Sequence, residues 1–123
     1  MTSYNFRSGL EWLVAQQLNK LGHPFTYEEE VLRFVWPERK ARYTPDFLLP
    51  SGTFIETKGI FEVKDRQKHL LIREQHPDAD IRFVFSNSKQ RISKTSTTTY
   101  AAWCEKHGYK FADKHIPAAW LKE

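Results

Sequence analysis

An α/β (α+β) fold, with a mixed central β-sheet flanked by helices, is what three features of this sequence predict. Helical and strand-like hydrophobic patterns alternate along the chain. Two strand-like runs flank a Pro-Ser-Gly turn, and this hairpin feeds a helix and then another strand. The predicted order is α-β-β-β-α-β-α-β. The 123 residues suit one domain spanning 1–123. A chain of this length buries roughly two-thirds of the surface it exposes when unfolded, so it can hold a core without covalent staples.

Leu10, Leu13, Val14, Leu18 and Leu21 recur at helical spacing and predict a helix over Ser8 to Leu21. Ser8 suits its N-cap, Glu11 stands three residues on as in a capping box, and Gly22 with Pro24 stops it. Tyr27 to Trp36 is rich in β-formers and predicts a strand; the polar stretch Pro37 to Arg42 reads as a connector. Tyr43 to Leu49 and Thr53 to Lys58 form the hairpin around Pro50-Ser51-Gly52. A second helix covers Asp65 to Gln75, capped by Asp65, and Ile81 to Phe85 is a short strand. Ser93 to Thr99 reads as a surface loop. Thr99 to His107 is a third helix stopped by Gly108, Tyr109 to Phe111 a short strand, and Pro117 opens a final helical turn.

Composition excludes several classes. The one cysteine, Cys104, permits neither an intrachain disulfide nor a cysteine-rich zinc site, and reads as a buried thiol in a reducing compartment. The first residues lack a signal-peptide pattern, and no run approaches the ~20 apolar residues of a membrane span. The expectation is a soluble intracellular protein with no membrane partner. The net charge of +4 suits a polyanionic partner without proving one. The four tryptophans read as core rather than as base-stacking platforms.

The chemistry concentrates in Pro45-Asp46, nine residues, then Glu56-Thr57-Lys58. Alternation along a strand puts Glu56 and Lys58 on one face, Ile55 and Thr57 on the other. A three-residue loop closed by a left-handed Gly52 pairs Leu49 with Thr53 and Asp46 with Glu56. The two carboxylates are then about 5 Å apart; a two-residue loop would put them on opposite faces. Acids this close stay ionised only with positive charge between them, and Mg²⁺ or Mn²⁺ is the natural oxygen-seeking cation. Lys58 on the same face can orient water or offset phosphate charge, as phosphodiester hydrolysis requires. Solvated cross-strand pairs would use the same residue types, but the surrounding Phe47, Leu48, Leu49, Phe54 and Ile55 mark these strands as internal, where unpaired charge is costly.

Lys64, Arg66, Lys68, His69 and Arg73 form a basic run on the second helix, either a solvated face or a phosphate grip; His69 and His76 read as exposed positions near phosphate rather than a metal site. Lys89, Arg91 and Lys94 form a second basic loop with the same two readings. Glu11, on local grounds, is a capping glutamate.

At three segments the sequence resembles a known family: Phe6-Arg7-Ser8-Gly9-Leu10-Glu11, Tyr43-Thr44-Pro45-Asp46-Phe47-Leu48-Leu49-Pro50 and Glu56-Thr57-Lys58-Gly59. His69 to Pro77 and Cys104 to Gly108 match as well. They are similar to the phage endonuclease I family, the Holliday-junction resolving enzymes of T7-like phages. The resemblance implies a restriction-endonuclease-like PD-(D/E)xK core, cleavage of four-way junctions and other branched DNA with Mg²⁺ or Mn²⁺, and 5′-phosphate and 3′-hydroxyl products. It implies a catalytic set of Glu11, Asp46, Glu56 and Lys58, with Asp46, Glu56 and Glu11 binding metal, which reverses the capping reading of Glu11. It implies a domain-swapped homodimer in which Glu11 of one subunit completes the other's site, with a swap connector at about 36–41. It implies action in the cytoplasm of a bacterial host. The resemblance also implies further basic residues at both termini, and this sequence starts and ends short of them. The rival readings are a sequence-specific restriction-type nuclease and a catalytically inactive DNA-binding scaffold.

Overall fold

A computed structural model describes residues 6–36 and 39–123, with the side chains of 36 and 39 outside that description. Helix α1 spans Gly9–Lys20. Ser8 caps it, its Oγ accepting the Glu11 N–H at 3.1 Å, and Gly22 at φ 65° lets the chain turn away after its end.

The predicted strand from Tyr27 to Trp36 is two strands, β1 (Thr26–Tyr27) and β2 (Leu32–Trp36). Glu28, at φ 51°, breaks the extended run, and three successive acids here favour solvent over a ladder. The expected connector is also corrected. Arg39–Tyr43 is strand β3, paired antiparallel with β2 from Leu32↔Tyr43 to Trp36↔Arg39. A polar sequence can form this ladder because β2 and β3 make a separate two-stranded sheet, whose exposed positions tolerate charge. Of the expected swap connector, 37–38 lie outside the described residues. Pro45, without an N–H to donate, separates β3 from a short β4 (Phe47–Leu48), where one strand was expected from Tyr43 to Leu49.

Strand β5 (Thr53–Lys58) follows as expected. Its register with β4 is Phe47↔Ile55 and Leu48↔Phe54, and the Leu49 N–H donates to the Thr53 carbonyl at 2.9 Å. The three-residue loop therefore holds, closed by Gly52 at φ 90°. Helix α2 (Val63–Gln75) starts earlier than expected: Glu62 is the N-cap, and Asp65 returns a bond to the Glu62 N–H at 3.2 Å. It returns the chain to β6 (Asp80–Phe85), parallel to β5. Helix α3 (Tyr100–His107) has Thr99 as N-cap and Gly108 as its left-handed stop. Strand β7 lies at Phe111–Asp113, later than expected, because β6 pairs with it from Phe83↔Phe111 onward. Pro117 caps the short α4 (Ala118–Leu121) rather than occupying its first turn.

The main sheet runs β1-β4-β5-β6-β7, antiparallel at β1-β4-β5 and parallel at β5-β6-β7. It is the mixed, helix-flanked sheet that the sequence predicts. Alternation along β5 and β6 divides the core. Ile55 and Val84 face Val14, Ala15 and Leu18 of α1; Phe83 and Phe85 face Ile72 of α2 and Trp103 and Cys104 of α3. Each fully buried large apolar side chain here contributes about 1.5–3 kcal/mol. Cys104 is buried and free as expected, and burial pushes its thiol up to about 12, which makes it a poor nucleophile. Trp103 is core, whereas Trp12 is 52% exposed, so the expectation that the tryptophans are core fails for Trp12. Among the described residues no helix is long and apolar enough to cross a membrane.

Candidate active site

Three pieces of chain converge at one end of the β4-β5 hairpin. Helix α1 brings Glu11, β5 brings Glu56 and Lys58, and the residue preceding β4 is Asp46. All four line a cavity of about 450 Å³, joined by Arg7, Glu28, Arg42, Tyr43, Thr44, Thr57 and Lys68. The sequence-predicted quartet is thus brought together, with Glu11 beside Asp46.

The carboxylates are buried and individually held. Asp46 Oδ2 accepts from the Thr57 N–H at 2.9 Å and the Thr57 hydroxyl at 2.8 Å. Glu56 Oε1 accepts from the Tyr43 hydroxyl at 2.8 Å, and Glu56 Oε2 lies 3.5 Å from the Lys58 ammonium. Glu11 Oε1 accepts from the Tyr27 hydroxyl and, at 3.0 Å, from the Arg7 N–H. The predicted capping box is therefore half formed: Ser8 caps the helix, but the Glu11 carboxylate bonds Arg7 and faces the cavity.

Burial, then the nearby charge of Glu56, pushes the Asp46 carboxyl up to about 8, against the pull of its Thr57 hydrogen bonds. Burial raises Glu56 as well, with Lys58 opposing. Burial alone would lower the Lys58 ammonium, but Glu56 and Asp65 outweigh it and hold it above the ordinary lysine value. Asp65 Oδ1 lies 3.3 Å from Lys58 Nζ, so the start of α2 steadies the lysine.

Oxygens of Glu11, Glu28 and Asp46 lie within 4.8 Å of one another. These residues fit a hard divalent cation: the donors are all oxygen, and closely spaced carboxylates, of which Glu11 and Asp46 are buried and Glu28 half-buried, need positive charge to stay ionised. Glu56, expected among the metal residues, lines the same cavity but lies outside this group of three, bonded by Tyr43 and close to Lys58; Glu28, not expected, completes the group. Glu28 was hidden inside a predicted strand; its signal was the acidic triplet Glu28-Glu29-Glu30, which a buried strand would not carry. Tyr27, Tyr43 and Thr57 gave no signal, because their roles depend on partners up to 16 residues away in sequence.

The basic candidates divide. Lys64 and Lys68 line an open groove of about 770 Å³ between α2 and the β2-β3 hairpin, with Arg33, Lys40 and Arg42; Arg42 and Lys68 also reach the site cavity. Arg66 is corrected as a phosphate contact: it is buried, and its guanidinium donates to the Phe61 carbonyl at 2.6 Å. His69 is corrected likewise. It is fully buried rather than exposed, edge-on to Tyr43 and Phe83 at 4.9 and 4.8 Å, and burial pushes its pKa well below the ordinary histidine value. Arg73 is exposed but turned to the His107 carbonyl and the Tyr109 ring, away from the cavity. Lys89, Arg91 and Lys94 are exposed on the loop after β6, outside both cavity and groove.

The sequence profile of phage endonuclease I matches residues 1–123. The chain belongs to the phage endonuclease I family. Within it, endonuclease I of Escherichia phage T7 is 59% identical over 118 residues, 96% of this chain and 79% of that protein. Endodeoxyribonuclease 1 of Enterobacteria phage T3 is 58% identical over 118 residues, 96% of this chain and 78% of that protein. The phage endonuclease I match thus covers every residue of the cavity.

Proposed function

We propose that this chain is a structure-selective DNA endonuclease that cuts four-way junctions and other branched DNA by Mg²⁺- or Mn²⁺-dependent phosphodiester hydrolysis. The observation that carries the reading is the convergence of Glu11, Asp46, Glu56 and Lys58 in one cavity of a phage endonuclease I family member. The relatives' names, an endonuclease and an endodeoxyribonuclease, support a DNA substrate.

Asp46 would hold the cation with Glu11 and Glu28, and Glu56 would complete the ligand set from the opposite strand. When bound, Mg²⁺ or Mn²⁺ neutralises phosphate charge and acidifies water. Lys58 stays protonated between Glu56 and Asp65, so it offers a fixed positive charge to the water and to the developing phosphorane oxygens. The groove bearing Arg33, Lys40, Arg42, Lys64 and Lys68 opens beside the site and suits a phosphate backbone led to it.

The reading extends to a domain-swapped homodimer. Exchange of the segment before β3 between two copies would keep the β2-β3 ladder and the Glu11 contacts, now made across chains. Two linked sites suit a junction that needs two cuts. The place of action would be the cytoplasm of the phage's bacterial host.

The test is incubation with a four-way junction and Mg²⁺ beside a matched linear duplex. The junction should be cut and the duplex poorly. Cutting of the duplex at fixed sequences would make this a restriction-type enzyme, and no cutting of either would make it an inactive scaffold.

A further inference from the structure

Each acid of the catalytic set is tethered by an uncharged hydroxyl. Tyr27 donates to Glu11, Thr57 to Asp46 and Tyr43 to Glu56. In each case the hydroxyl occupies one oxygen of the carboxylate. Among the described residues no hydrogen bond reaches the other oxygen of Glu11 or Asp46, and that of Glu56 meets only Lys58, at 3.5 Å.

The donors come from three places: Tyr27 from β1, Tyr43 from the end of β3 and Thr57 from β5. Tyr27 and Tyr43 are themselves buried, at 6% and 2% exposure, and their rings are gripped by aromatic neighbours. Phe6 and Phe47 pack on Tyr27 at 4.6 and 5.4 Å; His69 packs on Tyr43 at 4.9 Å. This also gives the buried His69 a purpose. Among the described residues its two ring nitrogens have no hydrogen-bond partner, so it serves there as a neutral aromatic plate that fixes the Tyr43 ring.

The choice of donor matters chemically. A lysine or arginine on each acid would cancel the negative charge that a cation site needs. A hydroxyl orients the carboxylate and leaves its charge almost intact. Outer-sphere partners of this kind typically change metal affinity or activity 10–100-fold when removed.

We infer that Tyr27, Tyr43 and Thr57 are positioning residues that hold one oxygen of Glu11, Glu56 and Asp46 respectively, so that the other is presented to a divalent cation. The inference rests on the nuclease reading above. It adds three positioning residues beside the catalytic set.

The experiment compares the wild type with Tyr43→Phe, Tyr27→Phe and Thr57→Val, full chain in each case. Mn²⁺ binding is measured without DNA by electron paramagnetic resonance. Junction cleavage is followed across Mg²⁺ concentrations, and folding by Tm. Each variant should stay folded, bind Mn²⁺ roughly 10–100-fold more weakly and need correspondingly more Mg²⁺ for half-maximal cleavage. Junction affinity in the absence of metal should not move. Unchanged Mn²⁺ affinity in the folded variants overturns the inference, as does weaker junction binding with an unaltered metal requirement. Should Tyr43→Phe fail to fold, Tyr27→Phe and Thr57→Val carry the same test at Glu11 and Asp46. A wild type that binds Mn²⁺ but leaves the junction intact would sink the nuclease reading alone, since Mn²⁺ binding by the variants still decides the inference.

Discussion

Asp46 and Lys58 share one cavity but are held in opposite ways. Asp46 is buried beside another acid, and its carboxyl is pushed up to about 8; Lys58 sits between Glu56 and Asp65 and keeps its charge. Removing Lys58 leaves the carboxylates and the basic groove in place. Lys58→Ala should therefore bind junctions like the wild type and lose roughly 10²–10³-fold in cleavage rate, the usual scale for one transition-state partner. Gel-shift and single-turnover cleavage separate the two effects, and wild-type-like cleavage would sink the mechanism. The raised Asp46 carboxyl also has a stability consequence. A folded pKa above the ordinary 3.8 means the fold binds this proton more tightly than the unfolded chain. Its stabilising contribution is full below 3.8 and is lost as pH rises through about 8. A cation that takes the proton's place should reverse this. The rise in Tm on adding Mg²⁺ should grow from pH 6 to pH 8, and a pH-independent rise would contradict the assignment of Asp46 as a ligand.

At the scale of the element, the hairpin is the structure on which the site depends. The three-residue loop sets the register that puts Asp46 opposite Glu56, and Gly52 at φ 90° closes it. Nothing lies within 4 Å of a Cβ built there, so the obstacle to any other residue is backbone strain rather than space. Gly52→Ala should cost about 1–2 kcal/mol, the penalty of a left-handed non-glycine residue. Chemical denaturation would read it, and an unchanged midpoint would show that the loop relaxes freely. The hairpin was legible in the sequence because glycine position and apolar alternation agree. The break at Glu28 and the strand at 39–43 were not, because β1 is held by Phe47 and Leu48, and β3 by β2. Those contacts override the local pattern.

At the scale of the whole molecule, one chain assembles the quartet by itself, while the proposed dimer would share it. The two arrangements place the same residues around the same cavity, so they are distinguished by mixing rather than by geometry. Glu11→Ala and Lys58→Ala chains should each cut only feebly alone. Refolded together as heterodimers with exchanged segments, they should regain nicking at the one site that is complete. No recovery in heterodimers of established composition would count against sharing. The basic groove belongs to this scale too, because Arg33 and Lys40 reach it from one sheet and Lys64 and Lys68 from a helix.

The sequence by itself determined the mixed fold class, the hairpin register and the family, and it named the four residues that the fold gathers in one cavity. Each of these follows from short-range periodicity, from one glycine, or from contiguous strings shared with a family. Only the tertiary structure decided that His69 and Arg66 are buried, that Glu28 joins Glu11 and Asp46, and that two tyrosines and a threonine steady the acids. The physical reason is that burial and hydrogen bonding belong to neighbours in space: α2 shows the same basic face in sequence whether it meets solvent or Phe61, Phe83 and Tyr43.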